Sequence, residues 1–218
     1  MKKILSLTLV ASMLMLSVGC TSDKKEKLSR SAEDTSAAVQ RLVDGDKEYI
    51  KSNTNEAEIT SEIRTDTAKN GQKPYAVVVT CSDSRVPPEH IFSAGLGELF
   101  VIRTAGNVVD DYEIGSVEYG VEHLGAKVVL VLGHTGCGAV KATVEGGAEG
   151  KIETIVEEIH KAIGNEKDME KCVELNVENT KKKLSEDEGI KEKVKAGEVK
   201  VIGGIYDIET GEVKLLDN

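Results

Sequence analysis

Two short stretches concentrate the residue types that do chemistry. VVVTCSDSRVPPEH, residues 77–90, closes an apolar run with Cys81, Asp83 and Arg85, and VVLVLGHTGCGAV, residues 128–140, closes another with His134 and Cys137. Two thiolates and an imidazole suit zinc well and suit hard ions such as calcium or magnesium poorly. Three protein ligands leave a fourth tetrahedral position for water, the arrangement of a catalytic rather than a structural zinc, and zinc lowers the pKa of such a water to about 7. The H-x-x-C clip alone is weak evidence, since a histidine near a core cysteine would also produce it. Gly136 and Gly138 let the backbone fold around an ion, and the strand-end cysteine in C-x-D-x-R supplies the third ligand.

Asp83 and Arg85 lie two residues apart, so their side chains can meet in an extended or turning segment, where the guanidinium fork holds a carboxylate through two hydrogen bonds. Next to a metal, such a pair can orient a bound water while the carboxylate stays ionised; a structural salt bridge is the plainer alternative. A phosphatase cysteine loop fails on spacing, because Pro87 stands where its arginine would be needed. No C-x-x-C redox motif and no G-x-S-x-G elbow occurs.

The elements that must position these groups follow from periodicity. Residues 31–52 predict an amphipathic helix and 56–69 a polar one, stopped by Asn70, Gly71 and Pro74. Short β-rich runs follow at 75–80, 99–103, 127–132 and 199–208, the first three apolar almost throughout, as parallel strands covered on both faces require. Helical patterns lie between them at 111–125, 151–163 and 166–183, and ETGEV at 209–213 is the turn of a closing hairpin with an antiparallel edge. The alternation predicts an α/β fold: a central, mostly parallel sheet flanked by helices, behind an N-terminal helical arm. Cys81 then falls just beyond the first strand and His134 two residues beyond the third, and both open onto the crevice at the carboxyl ends of the strands.

At 218 residues the chain suits one domain plus a terminal extension. Lys2 and Lys3 precede the apolar run ILSLTLVASMLMLSV, which is shorter than the roughly 20 residues of a comfortable membrane span, so residues 1–19 are expected to be an export signal peptide. Gly19-Cys20 resembles a bacterial lipobox, with Ser17 where leucine is usual, which makes Cys20 a lipidation site and the protein an exported, membrane-anchored lipoprotein; an ordinary signal peptide cleaved nearby is the alternative. Residues 20–36 are a polar tether, and 37–218 the folded domain. The formal charge of −10, two units more negative once Lys2 and Lys3 leave with the leader, argues against nucleic acid as a partner, although much of the acid sits with lysine on solvated helix faces. With Cys20 lipidated, Cys81, Cys137 and Cys172 remain, and three cannot pair completely within one chain. Cys172 has no place in the metal reading and is expected to be a half-buried small residue or an intermolecular bridge.

CSDSRVPPE, GLGELFVIRTAGN, GSVEYGVEHLGAKVVLVLGHTGCGAV and IYDIETGEV together resemble a β-class carbonic anhydrase, from about Ala38 to near the C-terminus. The resemblance implies reversible hydration of carbon dioxide to bicarbonate and a proton by zinc-bound hydroxide. It implies one Zn2+ per chain on Cys81, His134 and Cys137, with Asp83 and Arg85 as the catalytic dyad. It also implies a homodimer, alone or paired into a tetramer, held by the helical arm. Gln72 matches a glutamine that hydrogen-bonds substrate at the dimer interface, and Phe100 and Tyr119 match the apolar carbon dioxide pocket; their types alone would place both in the core. In some members the aspartate equivalent to Asp83 swings onto zinc and closes the site, and here the open, water-bound form is expected. His90 and His123 are candidate proton relays by their imidazole chemistry. Ala105, Asp46 and Tyr49 depart from common family residues without touching a ligand. Two alternatives stay open: a carbon disulfide or carbonyl sulfide hydrolase on the same fold, and a zinc-binding lipoprotein without turnover.

Overall fold

A computed structural model describes residues 34–57 and 59–216. The expected leader, Cys20 and most of the tether lie outside the described residues. No helix among the described residues is long and apolar enough to cross a membrane.

The chain begins with α1 (Thr35–Ser52), started by Asp34, whose carboxylate accepts from the Ala37 amide at 2.8 Å, and α2 (Ser61–Asn70), capped by Thr60. Then come β1 (Ala76–Cys81), the short α3 (Pro88–Ile91), β2 (Leu99–Thr104), a 3-10 turn (Ala105–Asn107), α4 (Asp111–Glu122) and β3 (Val128–His134). The second half holds α5 (Gly138–Glu145), α6 (Ile152–Ile163), α7 (Met169–Glu186), α8 (Glu188–Lys195), β4 (Lys200–Tyr206) and β5 (Val213–Leu215). The five strands lie in the order β2-β1-β3-β4-β5, parallel except for β5, which returns antiparallel on β4 as the closing hairpin.

The apolar runs of β1 and β3 are buried from end to end, and their period of two sorts them onto two faces. Ala76, Val78, Val128, Leu130 and Leu132 pack with Ala38 and Leu42 of α1, whereas Val77, Val79, Val129 and Val131 meet Val117 and Val121 of α4, Val177 and Leu184 of α7, and Ile190 of α8. Each fully buried valine or leucine contributes about 1.5–3 kcal/mol, so the two central strands are the rigid base of the site.

The strands run further than their apolar pattern predicts. Cys81 is the last residue of β1, paired with Thr104, and His134 the last of β3, paired with Tyr206. Parallel ladder bonds to flanking strands carry both polar residues into the sheet. Two helices lacked a sequence signal: α5 opens on glycine, and α8 buries only Ile190, too little for a periodic stripe.

Candidate metal centre

β1 and β3 are neighbours, and the chain leaves them in opposite directions, so a crevice forms where their carboxyl ends diverge. Cys81 and His134 sit at those two strand ends, and Cys137 follows at the N-cap of α5, one residue after Gly136 turns the chain with φ +66°. The ligand atoms of these three buried residues lie within 4.8 Å of one another.

The protonation pattern fits a cation. His134 Nδ1 lies 3.0 Å from the Thr135 carbonyl, which fixes the proton on Nδ1 and leaves a lone pair on Nε2. Nε2 is buried and has no hydrogen-bond partner. Cys81 is pulled well below the ordinary thiol range, first by the hydrogen bond from Cys137, with smaller contributions from His134 and from the Gly106 and Asp83 amides, against desolvation. Cys137 is pushed up, first by sharing its proton with Cys81 and then by burial, although the Val140 and Ala139 amides at the start of α5 favour its anion. One proton shared between two thiols is what remains when two anions meet without a counter-charge; a dication removes that repulsion and favours both thiolates. Two sulfurs, an orphaned imidazole nitrogen and complete burial are therefore a zinc ligand set.

Asp83 turns towards Arg85. Arg85 Nε and Nη2 donate to its two oxygens at 2.9 and 2.7 Å, and the Arg85 amide adds a third bond at 2.9 Å. These hold the carboxyl far below its usual range, with the Arg85 side-chain bonds as the leading cause. Its Oδ2 lies 4.0 Å from His134 Nε2, at the edge of the ligand cluster. The loop carrying it is pinned by Arg103, whose Nε and Nη2 donate to the carbonyls of Cys81 and Asp83 at 3.1 and 2.6 Å. Pro88 opens α3, so the Pro87-Pro88 pair ends this loop.

The remaining candidates are not brought to the cluster within one chain. Phe100 pairs with Val77, four positions before Cys81, or about 13 Å along the strand at 3.3 Å per residue. Its ring lies 6.0 Å from that of Tyr119, which is 48 % exposed on α4 and has the tilted ring of His123 5.3 Å away. Gln72 is exposed between α2 and β1, and His90 is exposed on α3. Cys172 is fully buried in the apolar cluster beside Cys81 and Cys137, deeper than its sequence suggests, because α7 turns this face onto α6. Arg103 and Gly106 escaped sequence reasoning, although both lie in the RTAGN stretch that ends β2.

The family model described as carbonic anhydrase matches residues 76–213, the span that holds all three ligands. Among solved structures, one of the two tetrameric β-carbonic anhydrases of Sordaria macrospora superposes with a TM-score of 0.62 at 28% identity, covering 72% of this chain and 92% of that one. The chain belongs to the β-class carbonic anhydrases. Zinc as cofactor and carbonate dehydratase activity, a lyase reaction, come with that family. The chain is 36% identical over 155 residues to the carbonic anhydrase of Mycolicibacterium smegmatis, covering 66% of this chain and 75% of the relative. It is 31% identical over 193 residues to carbonic anhydrase 2 of Mycobacterium tuberculosis, covering 84% and 93%.

Proposed function

We propose that this carbonic anhydrase hydrates carbon dioxide reversibly to bicarbonate and a proton, with Cys81, His134 and Cys137 holding zinc and Asp83 and Arg85 managing the attacking group's proton. The observation that carries this reading is the Asp83–Arg85 pair lying at the edge of a buried two-thiolate, one-imidazole cluster. Zinc, when bound, acts as a Lewis acid that makes hydroxide available near neutral pH. Asp83 supplies the orientation. Arg85 keeps it ionised and therefore acceptor-only, so it would accept a hydrogen bond from a hydroxyl held at the cluster and fix that group's orientation.

Carbon dioxide needs an apolar wall, which Phe100 and Tyr119 would provide, with Gln72 as the hydrogen-bonding group for bicarbonate, only from a second copy of the chain. Support for a homodimer lies in the exposure of Tyr119 and Gln72 and in the position of Phe100 on the edge strand β2, far from its own thiolates. Two such dimers could pair, as tetramers occur in the Sordaria relatives. We further propose export through residues 1–19, with Cys20 lipidated and residues 20–36 tethering the domain to the membrane.

Stopped-flow hydration of carbon dioxide by zinc-quantified protein tests the reaction; a rate equal to that of buffer rejects it. Tyr119→Ala should lower turnover together with dimer content in sedimentation. Membrane release of a Cys20→Ser protein tests the anchor.

A further inference from the structure

The Cys81 sulfur has one backbone donor whose own position is controlled from elsewhere in the fold. Gly106 N donates to Cys81 Sγ at 3.3 Å. Gly106 belongs to the three-residue 3-10 turn after β2 and sits at φ +70°, where a Cβ would come within 2.8 Å of Ile159 Cδ1 and 3.0 Å of Ala139 Cβ. Only glycine fits this conformation and this space, and glycine is also the most freely hinged residue. Left to itself, the turn would let the amide swing away from the sulfur.

Helix α7 clamps it. Asn176 Nδ2 donates to the Gly106 carbonyl at 2.7 Å, and one turn further along the helix Thr180 Oγ1 donates to the Asn107 carbonyl at 3.2 Å. Asn176 is 1% exposed, and its Oδ1 has no partner. A leucine of similar size would remove that orphaned oxygen but would leave the buried Gly106 carbonyl without its side-chain donor. What the asparagine supplies here is the bond its nitrogen makes to this turn.

We propose that Asn176 is a positioning residue for the metal centre: by fixing the Gly106 carbonyl from α7, it aims the Gly106 amide at the Cys81 sulfur and so tunes how that thiolate holds zinc. The proposal rests on zinc binding by Cys81, His134 and Cys137. A hydrogen bond to a metal-bound thiolate withdraws charge from the sulfur, and partners in this second layer govern both ligand orientation and the electronic character of the ion.

The test uses the full domain with the tether, loaded with zinc or, for spectroscopy, with cobalt(II). Asn176→Leu is expected to weaken zinc about tenfold or more in chelator competition and to shift the thiolate-to-cobalt charge-transfer band. Thr180→Val removes the neighbouring hydrogen bond from the same helix to the same turn, but not the one linked to sulfur; it should change zinc affinity by less than about twofold and leave the band in place. Asn176→Ser serves if the leucine variant does not fold, and should show the same two changes. Asn176 variants with parental zinc affinity and an unmoved band would overturn the proposal, as would a Thr180→Val protein showing equal changes, which would mean general loosening of the turn. Parent protein that takes up neither metal would instead reject the zinc reading beneath it.

Discussion

Of the buried polar atoms left without a partner among the described residues, two face opposite fates. At the carboxyl ends of β1 and β3 the atom is His134 Nε2; between α1 and the closing hairpin it is Oδ1 of Asp46, which is 6% exposed. Around His134 two sulfurs converge within 4.8 Å, and a carbonyl fixes the tautomer that leaves Nε2 bare. Around Asp46 lies a cavity of about 150 Å³ walled by Leu42, Val43, Ile50, Phe92, Val213 and Leu215, with Lys47 and Glu212 as the other charged lining residues. The first arrangement gathers soft donors and asks for a cation. The second offers one carboxyl in an apolar wall and is relieved by a proton. An orphaned buried atom therefore does not mark a metal site; convergence of further ligands on it does.

Removing one converging ligand should break the first place completely. Cys137→Ser replaces a soft thiolate with a hydroxyl that binds zinc poorly, and metal content per chain and carbon dioxide hydration should both fall to background. Retention of zinc and rate together in that variant would reject the assignment of the centre. A smaller effect separates holding the metal from using it. Arg85→Gln leaves all three ligands in place but takes away the two side-chain bonds that keep Asp83 ionised and turned outward. Zinc content should stay near one per chain, while turnover drops by about 10²-fold or more, in the range of lost proton management. The acid limb of its pH–rate profile should move to higher pH, because Arg85 is the main cause of the depressed Asp83 pKa. An unchanged profile would reduce the pair to a surface salt bridge.

Why the first place was legible in the sequence and the second was not follows from the kind of contact each makes. Cys81, His134 and Cys137 announce themselves by residue type and by standing at the ends of apolar runs, and a parallel sheet brings strand ends together by rule. Arg103, Gly106 and Asn176 act on backbone carbonyls or through a backbone amide, and a carbonyl looks alike whatever residue carries it. Phe100 and Tyr119 have side chains typical of a core, yet the edge position of β2 and the outer face of α4 leave Tyr119 half exposed. That difference depends on strand order, which periodicity does not encode. Asp46 sits in a helix rich in charge, where nothing local distinguishes the one acid that the hairpin covers.

The smallest effect belongs to Asp46 and is one of stability. Oδ2 accepts from the Val213 amide at 3.2 Å, yet burial pushes the carboxyl up from 3.8 to about 6, outweighing that bond, with Glu212 adding repulsion and Lys47 opposing it. A raised carboxylate pKa means that the folded state binds the proton more tightly than the unfolded chain. The fold is thus free of this penalty below about pH 4, loses stability as pH rises from there to about 6, and carries the full cost, at most about 3 kcal/mol, above it. Asp46→Asn keeps an oxygen for the Val213 amide and removes the charge. Urea unfolding of the zinc-loaded protein should show the variant more stable than the parent by about 1–2 kcal/mol at pH 8, with the gain shrinking to nothing near pH 4. At each pH the variant's zinc affinity should match the parent's, because Asp46 is no ligand and lies on α1 among residues of a cluster separate from that of Cys81 and Cys137. Parent and variant curves that run parallel across this range would show that Asp46 is hydrated after all, and that the two orphaned atoms differ less than their surroundings imply.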